Sequence, residues 1–297
     1  MRHTGRTCAA VVAVLVASLA GCSDAGAPAG RLEPAATGTT VEEGIPYSTG
    51  PAGDLLLDAC LPAAPEGPVP VVVVVHGGGF TSGDRETGGS RGICELAASM
   101  GAAGFSIDYR LAPAATWPAP VDDVGAAVRW LREPAQVERF GLDPARVALV
   151  GSSAGAVLAQ SLATRGSGPP DTGERVAAVV SLSGVSVMTP EALGAGTPST
   201  QAVQLVLTYL GCTSVTACPQ GQAASPVTAV DPTDPPMLLV NGTDELVPDE
   251  QARAMAGALE AADVPVDLVL VDGSDHGTAL LDADVRRRVL TFLEEHL

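Results

Sequence analysis

From about residue 70 onward, short apolar runs rich in valine alternate with longer segments whose apolar residues recur every three or four positions. Residues 71–75 are five consecutive valines, which predicts a strand buried on both faces. The same reading predicts strands over 104–108, 146–150, 176–182, 236–240 and 266–271. It predicts helices near 92–101, 122–132, 154–164, 249–262 and 282–296. Strand and helix in regular alternation define an α/β class with a mostly parallel central sheet and helices on both faces. The rhythm breaks between about 186 and 230, in a stretch containing Thr, Pro, Gly and two close cysteines. A gap of that length inside a regular array is too long for a plain loop and reads as an inserted cap.

The first forty residues have a different character. Arg2 and Arg6 precede an apolar run over 9–19 that is too short to span a bilayer comfortably, followed by Leu19-Ala20-Gly21-Cys22. This pattern resembles the lipobox of bacterial lipoproteins. The resemblance implies a signal peptide over 1–21, cleavage before Cys22, lipidation of its sulfur, and an exported protein on the outer face of the cell membrane; an ordinary secretory signal is the alternative. Residues 22–40 are small, polar and rich in Pro and Gly, and read as a flexible tether. The domain proper then runs over 41–297.

Composition narrows the partners. The chain is 46% hydrophobic but only 3% aromatic, so its core must be built from Val, Leu and Ala. The formal net charge is -18, and every basic residue is Arg. Such a chain repels nucleic acid and anionic headgroups, leaving the lipid on Cys22 as the expected membrane contact. Export also changes the reading of the cysteines. With Cys8 in the signal and Cys22 as anchor, Cys60, Cys94, Cys212 and Cys218 remain, an even set that suggests disulfides in an oxidising compartment. Cys212 and Cys218 are close enough to clip one loop, which leaves Cys60 to Cys94.

Chemistry concentrates in residues 146–165, RVALVGSSAGAVLAQSLATR, where a strand pattern runs into Gly-Ser-Ser-Ala-Gly and then into a helix pattern. That context suits a nucleophile elbow, with Ser153 at its apex and a helix N-terminus behind it to stabilise negative charge. Residues 88–92 also match G-x-S-x-G but follow no strand, and read as a loop coincidence. His76-Gly77-Gly78-Gly79-Phe80 follows the valine strand. Backbone N–H groups of Gly78 and Gly79, with that of Ala154, form the expected oxyanion hole. Of the four histidines, His3 falls in the signal, His76 in the glycine loop and His296 beside the C-terminus, so His276 is the expected general base. The acid lies after the strand ending near 240: Asp244 is preferred for its shorter side chain, with Glu245 the alternative.

With HGGGF at 76–80, DYRLAP at 108–113, WPAP at 117–120 before Asp122-Asp123, and GSSAG at 151–155, the chain resembles the hormone-sensitive-lipase-like and feruloyl-esterase-like carboxylesterases of the α/β-hydrolases. The resemblance covers about residues 55–295. It implies a serine hydrolase that cleaves carboxylic esters through an acyl-enzyme, without metal or organic cofactor, and a structural role for DYRLAP. Few aromatics in the expected cap point to short-chain or aryl acyl esters as small-molecule substrates. Two departures stand out: the turn carrying the acid is one residue shorter than usual, and the N-terminal segment reads as a tether with a first strand or two rather than a cap. A peptidase or amidase on the same scaffold is one rival reading. A surface lipoprotein that only binds its ligand is the other.

Overall fold

The structure, a computed structural model, describes Met1 and residues 38–50, 53–87, 89–193 and 199–297. The expected signal and Cys22 lie outside the described residues, as does most of the tether. Eight strands form one sheet: β1 (Thr40–Gly50), β2 (Gly53–Leu61), β3 (Val69–Val75), β4 (Ala103–Ile107), β5 (Leu142–Ser152), β6 (Ala178–Leu182), β7 (Met237–Gly242) and β8 (Val266–Val271). Their spatial order is β1-β2-β4-β3-β5-β6-β7-β8. β1 and β2 are antiparallel, β2 joins β4 antiparallel, and every pair from β4 through β3 to β8 is parallel. This is the mostly parallel sheet that the alternating pattern predicts.

The helices are α1 (Ser90–Ser99), α2 (Ala119–Leu131), α3 (Pro134–Phe140), α4 (Ala154–Ala163), α5 (Thr200–Leu210), α6 (Gln220–Ala224), α7 (Asp249–Ala261) and α8 (Ala283–His296). Alternation along β3 shows why both faces need cover. Val71, Val73 and Val75 share a cluster with Val124 of α2, Leu158 of α4 and Met255 of α7. Val72 and Val74 join Ile93 of α1 and Phe292 of α8 on the other side. Burying each such valine side chain is worth about 1.5–3 kcal/mol, so a strand of valines commits the sheet to the middle layer. Among the described residues α3 is the one helix of the main array that the periodicity does not predict: it is too short for a face to repeat, and it ends on Gly141 in the left-handed region at φ 64°.

Between β6 and β7 the chain leaves the array through α5 and α6. Ser199 caps α5 by accepting from the Ala202 N–H at 3.0 Å. The departing backbone is pinned by buried amides. Gln251 Oε1 accepts from the N–H groups of Ser186 and Val187, and Gln160 links the Ser181 and Ser186 hydroxyls. Among the described residues two disulfides complete the frame, Cys60–Cys94 between β2 and α1 and Cys212–Cys218 just after α5, in the expected pairing. Among the described residues no helix is long and apolar enough to cross a membrane.

Candidate active site

β5 runs directly into α4, and the single residue between them, Ser153, takes φ 53° and ψ -117°. A non-glycine residue there is strained, and the turn is tolerated because its surroundings allow no alternative. A Cβ on Gly155 would lie 2.1 Å from the Val75 carbonyl oxygen, so the helix can approach the sheet this closely only through a glycine. The Ser153 N–H donates to Leu182 O at 2.7 Å, which ties the turn to the end of β6. The hydroxyl is thereby lifted above the carboxyl ends of the parallel strands, where open α/β sheets place their ligand sites.

Ser153 Oγ lies 2.8 Å from Nε2 of His276, on the loop after β8. Nδ1 of the same ring is hydrogen-bonded to Oε2 of Glu245. A carboxylate only accepts, so Nδ1 carries the proton and Nε2 is left to accept from the serine hydroxyl. Asp244, the preferred acid, is not the partner. It is exposed on the turn after β7 and its N–H donates to Gly273 O, while the neighbouring Glu245 side chain is fully buried. The expectation is reversed: it is the second of the two acidic positions that faces the site, and its longer side chain reaches the ring. Glu245 Oε1 in turn accepts from the Gly242 N–H at 2.8 Å and from the Ser183 hydroxyl at 2.7 Å.

A cleft of about 490 Å³ opens over Ser153 and His276, lined by Gly77, Gly78 and Gly79, by the Ser82 and Thr87 region, and by Leu246 and Thr278. The glycine loop lies directly on the elbow, where a Cβ on Gly77 would fall 3.0 Å from Ser152 O. Gly78 sits at φ 117°, where a side chain would also strike Ser82 O at 2.0 Å. Ala154 opens α4, and as a first-turn residue its N–H has no intrahelical acceptor. His76 itself stays out of the cleft. Its buried ring stacks on Tyr109 with centroids 4.2 Å apart, Nδ1 is bonded to Gly77 O, and burial pushes its pKa below the usual value. Ser90, of the second G-x-S-x-G match, begins α1 with its hydroxyl buried.

Several supports were invisible to sequence reasoning. Buried Asp58 accepts from Arg85 Nε at 2.8 Å and from Arg91, and Arg85 also binds Asp108, fastening the segment that brings Ser82 and Thr87 to the cleft. The DYRLAP segment is structural: Tyr109 donates to His76 O, and Arg110 forms a bidentate pair with Asp123. Only Asp122-Asp123, already noted beside WPAP, hinted at this pairing. Among the described residues no group of three or more His, Cys, Asp or Glu could hold a metal ion.

A strand-turn-helix serine under a glycine loop, on a mostly parallel eight-stranded sheet, defines an α/β-hydrolase. Within that class the chain belongs to the BD-FAE family, whose model matches residues 57–259. Esterase LipC of Mycobacterium tuberculosis is 32% identical over 232 residues, covering 73% of this chain and 55% of LipC. Carboxylesterase NlhH of the same organism is 44% identical over 108 residues, covering 34% of this chain and 32% of its own. The chain thus spans about half or less of the length of these relatives. Among solved structures, a thermophilic esterase from Thermogutta terrifontis superposes with a TM-score of 0.66 at 25% identity, covering 87% of this chain and 91% of that one. A truncated carbohydrate esterase from gut microbiota gives 0.74 at 22% identity, covering 88% and 97%, a likeness of fold alone.

Proposed function

We propose that this protein hydrolyses carboxylic esters by acyl transfer through Ser153. The observation that carries the reading is the chain of contacts from Ser153 Oγ to His276 to Glu245 beneath the glycine loop. As Ser153 attacks the ester carbonyl, His276 Nε2 takes its proton, and Glu245 stabilises the imidazolium that results. The N–H groups of Gly78, Gly79 and Ala154 receive the developing oxyanion, and His276 then returns the proton to the departing alcohol. Water, activated by the same imidazole, releases the acid and restores Ser153.

Short acyl groups suit the cleft better than aryl ones. Among the described lining residues Leu246 is the one large apolar side chain, and none is Phe, Tyr or Trp to stack against an aryl acid. The Thermogutta terrifontis esterase is known with butyrate and with propionate bound. Hydrolysis of a p-nitrophenyl ester series from acetate to palmitate tests the reading. Turnover is expected to peak at two to four acyl carbons and to vanish in Ser153→Ala. Activity that survives Ser153→Ala, or a folded wild type without esterase activity, would overturn it.

We also propose export and anchoring through a lipid on Cys22. Leu19-Ala20-Gly21-Cys22 supports it, and the two disulfides suit an oxidising compartment. Metabolic labelling with a radioactive fatty acid should mark the full chain and fail to mark Cys22→Ala.

A further inference from the structure

We propose that Ser183 is a positioning residue that acts through Glu245, locking the carboxylate and the histidine loop to each other. The inference rests on the reading of Ser153, His276 and Glu245 as the reacting chain. Ser183 is the first residue after β6, fully buried, and holds φ 59°, a conformation that costs a non-glycine residue energy. Its N–H donates to Val240 O at 2.8 Å, which fixes the backbone on β7. From that point its hydroxyl does two things. It donates to Glu245 Oε1 at 2.7 Å and accepts from the Gly277 N–H at 2.8 Å.

These two bonds join segments that no regular element connects at this point. Glu245 belongs to the turn after β7, while Gly277 directly follows His276 on the loop after β8. With the Gly242 N–H also on Oε1, that oxygen is committed to two donors, and Oε2 is the one presented to the imidazole. The second bond holds the residue next to the base, so one hydroxyl sets both ends of the Glu245 to His276 contact. Glu245 reaches the ring with a longer side chain than aspartate would, and a glutamate has one more torsion to restrain. A strained serine that supplies the missing restraint accounts for the unfavourable backbone at 183.

The test uses Ser183→Ala and Ser183→Gly, each alone and combined with Glu245→Gln. Glycine accepts the positive φ without cost, so it reads out the hydroxyl even if the alanine variant folds poorly. In the otherwise wild-type chain, loss of the hydroxyl is expected to lower kcat about 10- to 100-fold, typical of removing a group that orients a reactive side chain, with KM changed less than about twofold. In the Glu245→Gln background the further loss should be under about twofold, because the group through which Ser183 acts is already disabled. Equal losses in both backgrounds, or no loss in either, would overturn the proposal. A second readout does not depend on turnover. In protein labelled with ¹⁵N-histidine, the downfield proton on His276 Nδ1 should shift or broaden in the Ser183 variants, and an unchanged resonance would also overturn it. Wild-type esterase activity that does not depend on Ser153 would defeat the reading of the reaction, while the resonance would still decide the role of Ser183.

Discussion

Phe80 and Tyr209 stack with ring centroids 4.0 Å apart and planes 13° from parallel, joining the glycine loop beside the nucleophile to α5 between β6 and β7. From the same helix, Leu205 approaches so closely that a Cβ on Gly79 would lie 2.7 Å from its Cδ1. The segment between β6 and β7 therefore buttresses the loop that carries Gly78 and Gly79. Truncation by Tyr209→Ala should cost about 3–5 kcal/mol in urea denaturation, as for other buried aromatics, and should lower kcat along with stability. A variant as stable and as active as wild type would show that the stack supports neither.

Two adjacent carboxylates give opposite expectations. Glu245→Gln should reduce kcat by roughly 10²- to 10⁴-fold, since the imidazole loses the charge that stabilises its protonated form. Asp244→Asn removes an exposed side chain and should leave kcat within about twofold. Steady-state kinetics on one short-chain ester decides between them.

Glycines divide by what a Cβ would meet. On α7 nothing lies within 4 Å of a Cβ on exposed Gly257, so Gly257→Ala should stabilise the protein by about 0.5–1 kcal/mol through helix propensity and the lost freedom of the unfolded chain. Gly155→Ala would drive a methyl into the Val75 carbonyl and should abolish activity together with the native near-ultraviolet dichroism.

The disulfides close loops of very different length, with sequence separations of 34 and 6. Loop-closure entropy makes the Cys60–Cys94 bridge worth about 4 kcal/mol and the Cys212–Cys218 bridge about 2. Double alanine variants of each pair, compared by denaturant midpoint, should show the larger loss for Cys60 and Cys94.

Acid stability should report on His76. Burial lowers its pKa below the usual 6.5, so between the two values the unfolded chain binds more protons than the folded one. Its contribution is present in full above about pH 6.5 and is lost as pH falls through that value toward the lowered one. Replacing the ring by His76→Asn, which keeps a donor for Gly77 O, should shrink the loss of stability between pH 7.5 and 5.5 measured by urea titration.

The central sheet, the elbow, and Ser153 and His276 as candidates all follow from the order of residues along the chain. Those features are local: valine runs commit a strand to the interior, a strand-turn-helix signature needs only neighbours along the chain, and elimination among four histidines needs no geometry at all. The bridge from Cys60 to Cys94 followed from counting. Which group meets which across elements depends instead on how the strands are stacked in space. Asp244 and Glu245 are adjacent in the chain, and the turn that buries one and exposes the other is set by β7 and β8 lying side by side. Ser183, the Asp58 ion cluster and the stack of Tyr209 on Phe80 carry no sequence signature, because each joins residues far apart in the chain through contacts that exist only once the sheet has formed.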